Sequence, residues 1–265
     1  MTHDTSTQLI VGTVVGSVMM TLLWLLQRRT KNAAVIDVGW TLGIGLMAIY
    51  LAASTPGPPL QRWLVGTLAG VWSGRLAIHL IVNRVVGKPE DGRYQRLRRN
   101  WGERAGLYFW LFFQAQVLLV LVFMPPFFAA LRVPRETWSL WDVLAIVVWL
   151  VAIGGESLAD RQLARFRARP ESHGKTCRAG LWRYSRHPNY FFEWLHWWTY
   201  VLLAVGSPLW WLSLIAPALM LFFLFKVTGI PATEAQAVAS RGEDYRRYQR
   251  TTSPFVPWFP RKEPA

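Results

Sequence analysis

Apolar residues in this chain come in long runs separated by short stretches crowded with arginine. A helix needs roughly 18–20 such residues to cross a hydrocarbon core. Seven windows read as candidate spans: 7–27, 33–53, 60–82, 107–131, 139–160, 189–205 and 209–228. Pro125-Pro126 predicts a bend at the far end of the fourth, because proline lacks the N–H the helix uses. Gly206-Ser207-Pro208 predicts a tight turn that folds the sixth and seventh into a helical hairpin. The fold class read from this pattern is all-α: a polytopic membrane bundle of seven transmembrane helices, one integral-membrane domain over residues 1–265 without internal repeats. The run from Leu9 lacks a basic leader and a small-residue cleavage site before Gln27-Arg28-Arg29, so it reads as a retained first span.

Charge sharpens the topology. Of the 29 Lys and Arg residues, 25 follow the first span, fill loops 84–106 and 161–187, or lie in the tail from Lys226. Arg62, Arg132 and Arg135 fall on the other side, and Arg75 lies within the third span. The positive-inside bias then predicts an outside N-terminus and a cytoplasmic C-terminus. A net charge of +14 suits nucleic acid in a soluble protein, but here the cations cluster between apolar spans, and no nucleic-acid partner is expected. The 52% hydrophobic content and 16 tryptophans exclude an ordinary soluble domain and point to a lipid bilayer as the partner. Arg93 to Ala105 sets Tyr94, Leu97 and Trp101 at helical spacing and predicts a helix along the interface. Thr233 to Arg250, with acids early and bases late, predicts another helix. Pro254 to Pro264 predicts irregular chain. The one cysteine, Cys177, excludes an internal disulfide and reads as an inert loop thiol.

Candidate chemistry begins with intramembrane acids, which are costly to keep in lipid. Asp37 opens the second span, with Arg29 or Lys31 as possible pairing partners. Glu156 and Asp160 stand at i, i+4 near the end of the fifth, followed by Arg161, Arg165 and Arg167. Like charges one turn apart favour a polar pocket with compensating donors; the plainer alternative is a snorkelling helix end. The densest stretch runs from Gly180 through Trp182, Arg183, Tyr184, Ser185, Arg186, His187, Pro188 and Asn189 to Tyr190, and Glu193 closes it. Eight bases lie within 26 residues here: Arg161, Arg165, Arg167, Arg169, Lys175, Arg178, Arg183 and Arg186. Topology signalling explains their number but not their alternation with Tyr184, His187, Asn189 and Tyr190. Guanidinium forks bind phosphate in pairs of hydrogen bonds, and an Asn amide offers both donor and acceptor. Asn189, Glu193 and His196 share one helical face. That face suits a phosphorylated or nucleotide cofactor. No glycine-rich dinucleotide fingerprint and no Walker loop is present. Glu193 and His196 at i, i+3 lack the second copy a di-iron bundle needs, so no metal is expected.

From Glu156 to Pro257 the chain resembles the C-terminal domain of the steroid 5-alpha-reductase family, above all its bacterial integral-membrane branch. The resemblance rests on Ala159-Asp160-Arg161-Gln162-Leu163, the Gly180-to-Tyr190 block, Thr228-Gly229-Ile230-Pro231, and Arg241-Gly242-Glu243-Asp244-Tyr245-Arg246-Arg247-Tyr248. Asp37-Val38-Gly39-Trp40 and the stretch from Arg93 to Gly102 also look like that branch. The family pattern departs here in two places: Phe192 stands where a glycine is common, and Glu156 where steroid reductases often carry Asn.

The resemblance implies a seven-helix reductase, in a bacterial inner membrane, that uses NADPH to reduce a conjugated carbon–carbon double bond. Its substrate would be a hydrophobic small molecule: steroid-like, isoprenoid or lipid. Residues 156–257 would form the cofactor-binding portion, facing the cytoplasm. Glu156, Asp160, Arg167, Arg178, Asn189 and Glu193 match positions that hold cofactor; Tyr184, Arg186 and His187 belong to the same block, and Tyr245 and Tyr248 resemble the family's lid. Asp37 and Tyr94 are the candidates, by chemistry, for polarising the carbonyl oxygen. The Arg-His-Pro-Asn-Tyr block also looks like that of isoprenylcysteine and phospholipid methyltransferases, which bind S-adenosylmethionine. Glu234 and the run Glu243 to Tyr248 fit either family. Phosphate demand separates the two, since eight bases suit NADPH better than a sulfonium zwitterion.

Overall fold

The computed structural model describes residues 4–227 and 229–262. The described residues are helical, with no strand among them. The helices in order are α1 (Thr5–Thr30), α2 (Val35–Ser54), α3 (Pro59–Leu80), α4 (Gly92–Trp101), α5 (Ala105–Val122), α6 (Pro125–Ala130), α7 (Leu140–Arg167), α8 (Pro188–Leu203), α9 (Ile215–Phe222), α10 (Ile230–Arg241) and α11 (Glu243–Thr251). Wide π turns extend α3 through Ile81–Val85 and α9 through Phe223–Val227. Six segments are long and apolar enough to cross a membrane: Thr5–Thr30, Val35–Ser54, Pro59–Val85, Gly92–Ala130, Leu140–Arg167 and Trp210–Arg241. The sixth window of the sequence pattern is helical as α8, but at 16 residues it falls short of them.

Local chemistry sets the boundaries. Asp4 caps α1 by accepting from the Thr7 N–H at 2.8 Å, and Ser139 with Asp142 closes a capping box at the start of α7. Pro125-Pro126 interrupts the fourth span near its far end: α5 stops at Val122, and the prolines take the first turn of α6, where no N–H is needed, within the segment that runs on to Ala130. The helix expected over Thr233 to Arg250 is two helices, because Gly242 at φ +54° breaks the run between α10 and α11. Beyond Ser253 the described chain is irregular, as the prolines require; Pro264 lies outside the described residues.

The chain divides into two compact units: Met1–Trp138 with Ala204–Ser213, and Ser139–Leu203 with Leu214–Ala265. In the first, α2 and α3 pack through small residues. A methyl carbon added at Gly45 would lie 2.3 Å from Ser73 Oγ; one at Gly66 would meet Ala52 at 3.3 Å, and one at Gly70 would meet Ile49 at 3.0 Å. Such small faces let helices approach closely where lipid supplies no hydrophobic drive between them. Polar side chains add hydrogen bonds between helices: Gln8 Nε2 donates to Ser54 Oγ at 2.9 Å and Thr55 Oγ1 at 3.0 Å, and Ser17 Oγ donates to Gln114 Oε1 at 2.6 Å. Each such bond is worth about 0.6 kcal/mol in a membrane. In the second unit, α7 lies along α8, and α8 and α9 form the hairpin, with the Trp194 indole donating to Pro217 O at 3.1 Å.

Candidate functional site

In the second unit, the Gly180-to-Tyr190 block is fastened to the last turns of α7. Gly180 sits at φ +60°, and a methyl carbon there would come within 2.5 Å of the Gln162 amide. That amide accepts from the Leu181 N–H at 2.9 Å, and the Trp182 indole donates to Ala159 O at 2.9 Å. Only glycine meets both the backbone and the spatial demand at this position.

Beyond the turn, the side chains converge on Glu234 of α10. Arg186 Nε donates to Glu234 Oε1 at 2.6 Å, and Arg186 Nη1 donates to the carbonyls of Gln249 and Thr252, both at 2.8 Å. His187 Nε2 stands 3.2 Å from the same Oε1, the Tyr245 hydroxyl donates to it at 3.4 Å, and Gln249 Nε2 donates to Oε2 at 2.8 Å. Tyr190 stacks on the His187 ring with centroids 5.3 Å apart. The two tyrosines of α11 are buried. The Tyr248 hydroxyl donates to Trp182 O and to Ser185 O. Burial pushes both phenols above the ordinary tyrosine range, with Glu234 adding to the effect at Tyr245 and Tyr245 to that at Tyr248. Arg178 Nη2 donates to Asp244 Oδ1 at 2.8 Å and Asp244 O at 2.6 Å. Arg178 and Arg186 therefore hold the chain to itself.

Along the α7–α8 contact, Asn189 Nδ2 donates to Asp160 Oδ1 at 3.2 Å. Glu156, one turn earlier, is buried, which removes the alternative of a snorkelling helix end for that residue. Glu193 is half-buried one turn beyond Asn189. Phe192 does not hold the helices apart: its ring fills the space over Gly155, where a methyl carbon would lie 2.4 Å from it. The bulk missing on α7 matches the bulk gained on α8. At the end of α7 a cleft of about 320 Å3 is lined by Phe166, Arg167, His173, Lys175, Cys177 and Arg241, among others. Tyr184 is not among its lining residues and packs edge-on against Phe259, with ring centroids 6.0 Å apart.

In the first unit, the structure brings Asp37 and Tyr94 together, with the phenol donating to Asp37 Oδ1 at 2.7 Å. The cations beside Asp37 Oδ2 are Arg84 Nη1 at 3.3 Å and Arg93 Nη2 at 3.5 Å, in place of Arg29 or Lys31. Arg84 is carried on the π turn after α3, and such turns are frequent at functional sites. Asp91 also holds Arg93, at 3.1 Å.

Two residues at these sites were not predicted in their present roles. Glu234 is the one acid of α10, with eight residues between it and the next carboxylate, and that isolation on its helix is the signal that marks it. Asp244 carries no comparable signal. Thr228, in the motif ending at Pro231, lies outside the described residues.

An all-helical membrane-type protein with one polar cluster on loop 180–187 and α10–α11 and another around Asp37 and Tyr94 is thus the class defined by fold and site. The chain belongs to the family described as "Protein of unknown function (DUF1295)", whose profile matches residues 23–252. It is also similar to the Schizosaccharomyces pombe protein named "Uncharacterized protein C594.04c", 24% identical over 218 residues. That alignment covers 73% of this chain and 63% of the yeast protein, so the chain spans less than two thirds of that relative. No solved structure matches.

Proposed function

We propose that this protein is a membrane-embedded, NADPH-dependent reductase of a conjugated carbon–carbon double bond in a hydrophobic substrate, with seven spans and its basic loops in the cytoplasm of a bacterial inner membrane. The observation that carries the reading is the cleft where Arg167, at a position matched to cofactor binding, shares the lining with Lys175 and Arg241. Three cations on one small cleft suit a phosphate-bearing ligand, and the Asp160–Asn189 pair offers an oriented carboxylate and amide for its polar end. Glu156 and Glu193 would border that end. Arg178, Arg186, His187, Tyr245 and Tyr248 are read as positioning residues, since their hydrogen bonds run within the chain.

NADPH, when bound, would supply a hydride to the beta carbon of the enone, and the enolate left behind would take its alpha-carbon proton from solvent. Tyr94 is read as the group that would donate its O–H to the substrate's carbonyl oxygen, with Asp37, flanked by Arg84 and Arg93, as its partner in the resting protein. The apolar helix faces would exclude water from the reduced nicotinamide. A second reading, transfer of a methyl group from S-adenosylmethionine, draws on one observation: two of the eight loop bases, Arg178 and Arg186, are already paired with Asp244 and Glu234. That reduces the cationic surplus on which the preference for NADPH rests. Tryptophan-fluorescence titration of the purified protein separates the two. Quenching by NADPH and not by S-adenosylmethionine is the expected result; the reverse pattern would replace the reductase with the methyltransferase, and silence to both would remove each.

A further inference from the structure

The chain after α11 is pinned on one side and bare on the other. Four hydrogen bonds fasten it to the Tyr184–Arg186 segment: Arg186 N–H to Ser253 O at 2.8 Å, Arg186 Nη1 to Thr252 O at 2.8 Å, Ser185 Oγ to Phe255 O at 2.7 Å, and Trp258 N–H to Tyr184 O at 2.9 Å. The Arg261 N–H adds a fifth contact, to Thr251 O at 2.8 Å. Phe255 points inward. Its ring meets Phe191 at 5.7 Å, Trp194 at 5.8 Å and Phe225 at 5.3 Å. Its neighbours point out: Val256 is 52% exposed, Trp258 69% and Phe259 74%. A rigid tail has no reason to show three large apolar side chains to water.

The height of this surface can be read from Phe225. That residue lies one position before Lys226, where the apolar run of the last long membrane-type segment stops. Through Phe255 the tail is packed on the residue at which that apolar run ends, which by composition is the level of a headgroup boundary. Aromatic rings belong at that level, because their apolar bodies and polar edges match the headgroup boundary. Lys226, Arg183, Arg250, Arg261 and Lys262 are exposed on the same stretches of chain. Cations beside an apolar wedge are the makings of attachment to an anionic leaflet.

We infer that Val256, Trp258 and Phe259 form an interfacial wedge that inserts into an anionic lipid surface, with Arg261 and Lys262 on its headgroups. The wedge lies beyond residue 252, where the match to the family profile ends. Its backbone bonds to Tyr184, Ser185 and Arg186 make the lipid surface a brace for the candidate site. This attachment stands whether or not a dinucleotide binds.

The test uses the full-length protein, with Cys177→Ala removing the native thiol and a nitroxide placed by Phe259→Cys. Reconstitution is into nanodiscs with or without about 30% phosphatidylglycerol, a charge density that attracts basic segments. The expected result is collision with oxygen severalfold above collision with a water-soluble nickel chelate, and the opposite ratio at Lys175→Cys on the exposed loop. Adding Arg261→Gln and Lys262→Gln is expected to move the Phe259 label toward water in the anionic discs and leave it unmoved in the neutral ones. Val256→Cys repeats the measurement with both aromatic residues intact, should Phe259→Cys fold poorly. A nickel-accessible label at both positions overturns the inference, as does spin–spin broadening between labels, which would mean that a second copy covers the wedge.

Discussion

Replacing Glu234 with alanine removes the acceptor shared by Arg186, His187, Tyr245 and Gln249. The Arg186 and Glu234 side chains are only 11% and 14% exposed, so the guanidinium cannot recover its partner in water. Breaking one member of a buried pair costs about 3–5 kcal/mol. Arg186 keeps its two carbonyl contacts, which places this case near the lower end, at about 3 kcal/mol. With about 2–4 °C lost per kcal/mol for a chain of this size, Tm should fall by roughly 6–12 °C. Thermal unfolding in detergent, followed by tryptophan fluorescence, measures it. Combining Glu234→Leu with Arg186→Met should recover most of the loss, since an apolar pair of similar volume carries no stranded charge. A fall below about 2 °C in Glu234→Ala would refute the reasoning, because Glu234 would then not be what holds the tail and the Tyr184–His187 segment together.

Three further outcomes are expected. Gly155→Ala forces its methyl into the Phe192 ring and should cost about 1–3 kcal/mol; Phe192→Ala in the same chain should relieve part of it, which a double-mutant cycle in thermal unfolding would register as a favourable coupling. Burial raises the Cys177 thiol above its ordinary value, so the folded protein holds that proton to higher pH than the unfolded chain. The stability this contributes is complete below about pH 8.5, the ordinary thiol value, and is lost as pH climbs through the raised one; iodoacetamide should label Cys177 slowly at that pH until denaturant is added, and fast labelling of folded protein would contradict the burial. Asp37→Asn and Tyr94→Phe should each lower turnover by about 10²–10⁴-fold while leaving NADPH affinity unchanged; equal losses in binding would place the pair in the cofactor site instead.

Six of the seven expected windows were legible as long apolar helices because a helix in lipid must be apolar for its whole length, and that requirement is written residue by residue. Where a helix ends depends on smaller signals, and these were read less well. Pro125-Pro126 opens a new short helix inside the fourth span where the sequence predicts a bend, and Gly242 at φ +54° splits a helix whose charge pattern runs on across it. The short α8 shows the same limit, since its window of apolar residues extends into a turn. At the site, the Gly180-to-Tyr190 block was found by its company of residue types, but the partners of its arginines were not. Arg186 to Glu234 spans 48 residues, and Arg178 to Asp244 spans 66. Nothing in local spacing tells a cation meant for a ligand from one meant for a distant carboxylate. The match of Phe192 to Gly155 was hidden for the same reason, being a fit of shape between two helices.

Hydride delivery to a lipid is the central claim, and isotopic transfer tests it most directly. Purified protein would be incubated with NADPH deuterated at the transferred position, together with the total lipid extract of its own membrane, and the products read by mass spectrometry. The account predicts a saturated product carrying one deuterium at the former beta carbon, absent from the Tyr94→Phe variant. Lipids that gain no deuterium, yet gain a labelled methyl group when S-adenosylmethionine is supplied instead, would contradict it.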